Sequence, residues 1–401
     1  MAVPRIAIIG GGPAGLTVAR ILQLHGLHAT IYEYEKSAES RSQGGSLDLH
    51  ADSGMLAMIA AGLEEQFNAK ARPEGDQVRI LDKNKQVLLD IKPDHTEKGV
   101  ELKPEIDRSQ LREILLESLK EGTIQWGRKL VKVESANGAD SGTHTLVFED
   151  GVREEVDLVI GADGAWSKVR PLVSDKTPAY AGITFLDCVI ENADDRFPKL
   201  AALAGHGLCL TLAPERALIA QRNSGGKICV YVVATVEEGW AKKEFAEAAR
   251  GGPESIRRLM LSFLEGWNPE LLDFIHHCDD DPIWARPIYA LPVDHSWKNK
   301  RGVTLVGDAA HVMSPFAGEG VNIAMLDALQ LAKAIAEAWK ANPSVASLYD
   351  AIPAFEQTMF ERAKQACSFS ANNQTLALNE RAPHDFLKVM AAMAAGQGPP
   401  Q

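Results

Sequence analysis

The stretch Arg5-Ile6-Ala7-Ile8-Ile9-Gly10-Gly11-Gly12-Pro13-Ala14-Gly15-Leu16 decides the fold. Its apolar run reads as a strand buried on both faces of a parallel sheet. Glycines follow at once, then apolar residues from Leu16 to Leu24 at helical spacing, then Gly26 as a stop. Ala29–Tyr34 reads as a second strand. Strand, glycine turn, helix and strand within about 30 residues make a βαβ unit.

Gly10, Gly12 and Gly15 have GxGxxG spacing. The first glycine permits the tight turn, the second lets the backbone approach a pyrophosphate, and the third lets helix and strand pack closely. Pro13 and Ala14 open the helix, whose positive end and free N–H groups face the phosphates. Glu33 ends the second strand, where a carboxylate takes the adenosine ribose. An acid there favours an unphosphorylated ribose, hence FAD or NAD. This motif alone does not separate the two.

Outward from this unit, the 401 residues suit two domains or one large α/β unit. The net charge of −12, with no Lys/Arg run, argues against a nucleic-acid partner. Cys188, Cys209, Cys229, Cys278 and Cys367 are scattered and form no CxxC, so neither a disulfide framework nor a zinc site is expected. His276-His277-Cys278 lacks ligand spacing, and no metal is expected. No stretch approaches the roughly 20 apolar residues that span a membrane, and the first apolar run is too short for a signal peptide. A cytoplasmic monomer without membrane partners is the expectation.

Two further motifs sit at strand ends. Gly161-Ala162-Asp163-Gly164-Ala165-Trp166-Ser167-Lys168-Val169-Arg170 follows the buried run Asp157–Gly161. Gly307-Asp308-Ala309-Ala310-His311 follows Val303–Val306 and continues as Pro315-Phe316-Ala317-Gly318-Glu319-Gly320-Val321-Asn322. Each places a carboxylate at the C-terminal end of a parallel strand, where α/β sheets bind ligands. Asp308 can accept from a ribityl hydroxyl. Gly318 and Gly320 allow a planar ring to approach the backbone. The helix from Val321 aims its positive end at charge developing on that ring.

Together the three motifs resemble the FAD-dependent aromatic hydroxylases of the para-hydroxybenzoate hydroxylase type. The resemblance implies that GxGxxG binds the ADP part of FAD, that the Asp163 segment serves both FAD and NAD(P)H, and that the Asp308 segment holds the ribityl chain and isoalloxazine. A narrower likeness, carried by Gly44–His50, Glu105–Arg112, Trp126–Val131 and Trp297–Arg301, is to the tetracycline-inactivating flavin monooxygenases. It implies FAD contacts from Asp48, Arg108 and Asp308, an NADPH contact from Arg41, and Pro315, Phe316 and Gly318 between flavin and substrate. Three departures stand out. Glu33-Tyr34 replaces the usual Glu-Arg, the Asp163 motif is intact rather than degraded, and Asp187, Leu208 and Cys229 occupy sheet positions where a glutamine, an arginine and a histidine are expected to grip the drug.

The expected fold is α/β: a Rossmann-like FAD-binding domain, an inserted antiparallel-sheet substrate domain and a long C-terminal helix. The boundaries are 1–178 and 283–345 for the FAD domain, 179–282 for the insert, and 346–401 for the helix and a disordered tail. The implied activity is NAD(P)H-consuming oxygenation of an aromatic or polyketide-like molecule through a flavin C4a-hydroperoxide. The partners are that small molecule and O₂. The flavin performs the chemistry, so no catalytic side chain is expected, and His311 is read as structural. The alternatives are a flavin reductase or oxidase on the same scaffold, or a non-catalytic flavin-binding protein. Trp166 and Phe316 could both stack on rings, Phe316 being the better placed.

Overall fold

The computed structural model describes residues 3–40, 44–92, 103–135, 142–280 and 283–394. Among these, five parallel strands form the first sheet, in the order Val303–Leu305, Leu158–Gly161, Ile6–Ile9, Ala29–Tyr32, Ile124–Gln125. Its central strands are buried on both faces, which is why their sequences are apolar without alternation. The helices Pro13–Leu24 and Gly320–Ala341 pack on each other and on this sheet, and Leu16, Leu22, Met325 and Ile335 are fully enclosed there. A three-stranded antiparallel sheet (Leu130–Ser135, His144–Phe148, Arg153–Val156) is turned at Glu149-Asp150-Gly151, as the turn residues suggest.

The second large sheet has seven strands, in the order Trp284–Ala290, Ala179–Ile190, Ile228–Thr235, Arg216–Arg222, Leu208–Ala213, Val78–Leu81, Val87–Ile91. All its pairs are antiparallel except Leu208–Ala213 with Val78–Leu81. It therefore draws strands from residues 78–91 and 284–290 as well as from the inserted stretch, and the sheets interleave along the chain. One face is covered by the helices Pro198–Ala204, Pro253–Phe263 and Pro269–His276. The other faces the first domain, and the end of the helix Val345–Leu378 and the helix His384–Ala394 pack over part of it.

The long C-terminal helix begins at Val345, eight residues before Pro353. Ser344 caps it by accepting from the Ser347 N–H, so the proline lies inside the helix. The end expected to be a disordered tail begins at Ala394, and residues 395–401 lie outside the described residues. None of the helices among the described residues is long and apolar enough to cross a membrane.

Candidate active site

The three glycines of the first motif differ in what constrains them. Gly10 has φ +107°, and a Cβ there would lie 2.3 Å from the Ala162 carbonyl oxygen. A Cβ at Gly15 would lie 2.2 Å from the Gly10 oxygen. At Gly12 a Cβ would meet nothing within 4 Å. The first two glycines are thus required by the protein, while Gly12 opens toward the ligand side. The helix that begins at Pro13 has no side-chain cap, so its first N–H groups are available to a pyrophosphate.

Glu33 is buried, and its carboxylate organises the turn. Oε2 accepts from the Gly11 N–H at 2.5 Å and Oε1 from the Glu35 N–H at 3.0 Å. Each oxygen keeps a further lone pair for a ribose hydroxyl. Tyr34, which stands where an arginine was expected, is 60% exposed. A cation reaches this strand end from another helix instead: Arg112 pairs with Glu35 at 2.7 Å, donates to the Ala38 oxygen and lies over the Trp126 ring. Sequence reasoning gave Arg112 no role; its spacing of four from Arg108 and the acid at Glu35 were the signals present. Arg41 lies outside the described residues.

The other two motifs converge on the same sheet end. The Asp163 Oδ2 accepts from the Lys168 N–H at 2.6 Å, while Oδ1 is buried without a partner. Arg170 joins the motifs: its Nε donates to the Ala309 oxygen at 2.8 Å and its Nη2 to the Ala165 oxygen at 2.6 Å. Asp308 is open to solvent yet lies deep enough in the fold for burial to raise its carboxyl pKa, against the pull of His311, Arg108 and Arg170. A carboxylate at the floor of a cleft fits a ribityl ligand. His311 does not face that cleft: it is buried and bonds Asp327 at 2.6 Å, and Asp327 also accepts from the Gly307 N–H and pairs with Arg362 at 2.7 Å. This network is structural, fixing the Gly307 turn.

Pro315–Ala317 is a short 3₁₀ turn, Gly318 is left-handed at φ +69°, and the helix Gly320–Ala341 starts without a side-chain cap. A Cβ at Gly320 would meet nothing within 4 Å. Val321 is half-buried in the first turn of this helix. Asn322 is fully buried and holds the neighbouring strand, its Nδ2 donating to the Asp48 oxygen and its Oδ1 accepting from the His50 N–H, both at 2.9 Å. Its side chain is therefore a brace, and its helix position is what it offers a flavin. His50 bonds Asp48 at 2.9 Å and faces Glu319 at 3.4 Å. Burial lowers its pKa, but these two carboxylates outweigh it and push it up to about 9. Arg108 lies close by, its Nε 3.8 Å from where a Cβ on Gly45 would stand.

The seven-stranded sheet roofs this turn. Phe185 meets Phe316 edge-on at 6.3 Å, joining the sheet to the Pro315–Ala317 turn. By register, Leu208, Gln221, Cys229 and Val189 form one cross-strand row on this inner face, and Ile219, Tyr231, Asp187 and Trp284 the next. Asp187 accepts from Trp284 Nε1 at 3.1 Å and Arg286 Nε at 2.9 Å. Cys229 is buried beside Gly45 and Tyr231. Gln221, Tyr231 and Arg286 were not anticipated; the alternation of their strands was the available signal. Trp166 is 58% exposed and meets Tyr289 edge-on, away from Phe316.

The open backbone at Gly12, two uncapped helix ends, the exposed carboxylate of Asp308 and the Asp163 oxygen that has no hydrogen-bond partner among the described residues fit an elongated dinucleotide ending in a planar ring. The chain belongs to the FAD binding domain family, whose pattern covers residues 4–259 and 285–357. Monooxygenase asqM of Emericella nidulans is 30% identical over 442 residues, spanning 97% of this chain and 98% of that protein. HpxO of Klebsiella pneumoniae, solved with FAD and uric acid, shares the fold with a TM-score of 0.77 at 19% identity, over 98% of this chain and 93% of that one. The tetracycline destructase Tet(51) shares it at 0.69 and 19%, over 98% of each. The protein is an FAD-dependent monooxygenase, and its fold is the one seen in HpxO and Tet(51).

Proposed function

We propose that the protein uses NAD(P)H and O₂ to place one oxygen atom on an electron-rich aromatic or polyketide-like small molecule, the second oxygen leaving as water. One observation carries this: the Phe185–Phe316 contact sets an aromatic-lined sheet face directly over the turn assigned to the isoalloxazine. Bound FAD supplies the redox and oxygen-transfer chemistry. The chain's residues do the rest. Gly12 and the helix from Pro13 take the pyrophosphate, Glu33 the ribose, and Asp308 the ribityl chain. The start of the helix at Gly320 faces charge on the ring. Ile183, Phe185, Ile219 and Val233 keep the roof apolar, which limits water at the reacting carbon.

The likeness to Tet(51) favours a tetracycline-like polycycle, whereas Asp187, Leu208 and Cys229 on the roof favour a different grip. A panel of phenols, aromatic acids and tetracyclines, read by NADH and NADPH oxidation with oxygen uptake, decides between them. Substrate-stimulated consumption with equal amounts of nucleotide and O₂ is expected. Nucleotide oxidation that ends wholly in hydrogen peroxide with every compound would favour an oxidase or reductase on the same scaffold.

A further inference from the structure

The inner face of the seven-stranded sheet carries one cation whose geometry is unusual for a structural ion pair. Arg286 stands on the edge strand Trp284–Ala290, opposite Phe185. Its guanidinium lies 5.0 Å above the Phe185 ring and 5.9 Å from the Tyr231 ring. Phe185 in turn meets Phe316 of the flavin turn. The cation is therefore two ring contacts away from the turn assigned to the isoalloxazine.

Asp187 uses only the inner edge of this guanidinium. Its Oδ2 takes Nε at 2.9 Å and also the Trp284 indole N–H at 3.1 Å. Asp187 is 10% exposed, whereas the Arg286 side chain is 45% exposed. Among the described residues, the two terminal nitrogens of Arg286 have no hydrogen-bond or ion-pair partner. A guanidinium held through Nε and stacked on aromatic rings presents those two nitrogens as a fixed fork. Such a fork matches two coplanar oxygens sharing a negative charge. Arg108, whose charge is felt at Asp187, Tyr231 and Asp308, adds a second cation to the same chamber.

We infer that Arg286 selects the substrate by binding a planar oxyanion on it, of the carboxylate type, with Asp187 and Trp284 as positioning residues and Phe185 beneath. This rests on reading the inner face as the substrate wall. It also accounts for the departures at Leu208 and Cys229: the anchoring charge comes from the edge strand rather than from the central strands. An acid held at the edge would lie with its ring along Phe185 toward Phe316.

The test is equilibrium dialysis of the FAD-loaded, full-length protein with matched pairs: 2-naphthoate against 2-naphthamide, and 2-hydroxybenzoate against 2-hydroxybenzamide. The native protein is expected to prefer each acid by about tenfold or more. Arg286→Met should bring the ratio close to one while FAD content and amide binding persist. Arg286→Lys, which keeps the charge and loses the fork, should retain part of the preference. Acids that bind no better than amides, or do not bind at all, overturn the inference. So does a preference that survives in Arg286→Met, or an equal loss of acid and amide there, which would mark the arginine as merely structural. An Arg286-dependent preference without oxygen transfer to any bound acid would leave this inference standing and count against the proposed reaction.

Discussion

Residues in this site separate into those the fold needs and those the ligand needs, and substitution distinguishes them. Gly12→Val should fold, because a side chain there meets no protein atom, and should purify colourless because the pyrophosphate path is blocked. Gly15→Val should instead fail to fold, since its Cβ would sit 2.2 Å from a backbone oxygen. Far-UV circular dichroism beside the flavin absorbance reads both outcomes. The glycine spacing and the purpose expected of each glycine were legible in the sequence; that Ala162 closes on Gly10 was not, because it lies more than 140 residues away.

His50 gives a pH test. Its folded pKa of about 9 lies above the ordinary 6.5. The stabilisation it draws from Asp48 and Glu319 is thus complete below about pH 6.5 and is lost as pH rises through about 9. The Tm gap between the native protein and His50→Gln should be widest at and just below about pH 6.5 and should close above about pH 9. A gap that stays constant would place the stabilisation elsewhere. His50 stood out in the sequence only as the end of the Gly44–His50 stretch, because both carboxylates gain meaning only when Glu319 is folded back onto Asp48.

Elements meet at two polar joints. Arg170 ties the Asp163 loop to the Asp308 turn through backbone oxygens. Arg170→Ala should weaken FAD binding by roughly ten- to a hundredfold, the worth of charged hydrogen bonds in a partly buried site, as measured by titrating the apoprotein with FAD. Asp327 is the second joint, buried between His311, Arg362 and the Gly307 N–H. Asp327→Ala leaves the buried His311 and the partly buried Arg362 without their carboxylate and should cost about 3–5 kcal/mol in unfolding free energy, read from denaturant midpoints.

Elements with a strong pattern were legible: the continuous apolar run at Ile6, the helices after Gly12 and Gly320, and the antiparallel strands that follow residue 179. Short elements such as Ser46–Asp48 and Glu105–Asp107 were not, since three residues carry no period and these strands exist through pairing with each other. Pro353 lies inside the helix rather than at its start because Ser344 caps the helix earlier.

At the scale of the molecule, the sequence suggested two sheets and their classes, but not their interleaving. Val78–Ile91 joins the second sheet through a parallel pair with Leu208–Ala213, a long-range contact that no local pattern announces. The roof is completed by the C-terminal helix, where Phe386 is buried in one apolar cluster with Ile80 and Leu212. Phe386→Ala should cost about 3 kcal/mol with FAD content unchanged, because the helix covers the sheet and leaves the dinucleotide cleft alone. A loss of flavin in that variant would mean that the two halves of the site are not separable.

The most direct measurement is mass spectrometry of product formed under ¹⁸O₂ by the FAD-loaded protein with NAD(P)H and a substrate found by the panel. One ¹⁸O atom in each product molecule is the expected result. Product that carries oxygen only from water, or a substrate turned over without gaining oxygen, would contradict the assignment of this cleft and its sheet roof to monooxygenation.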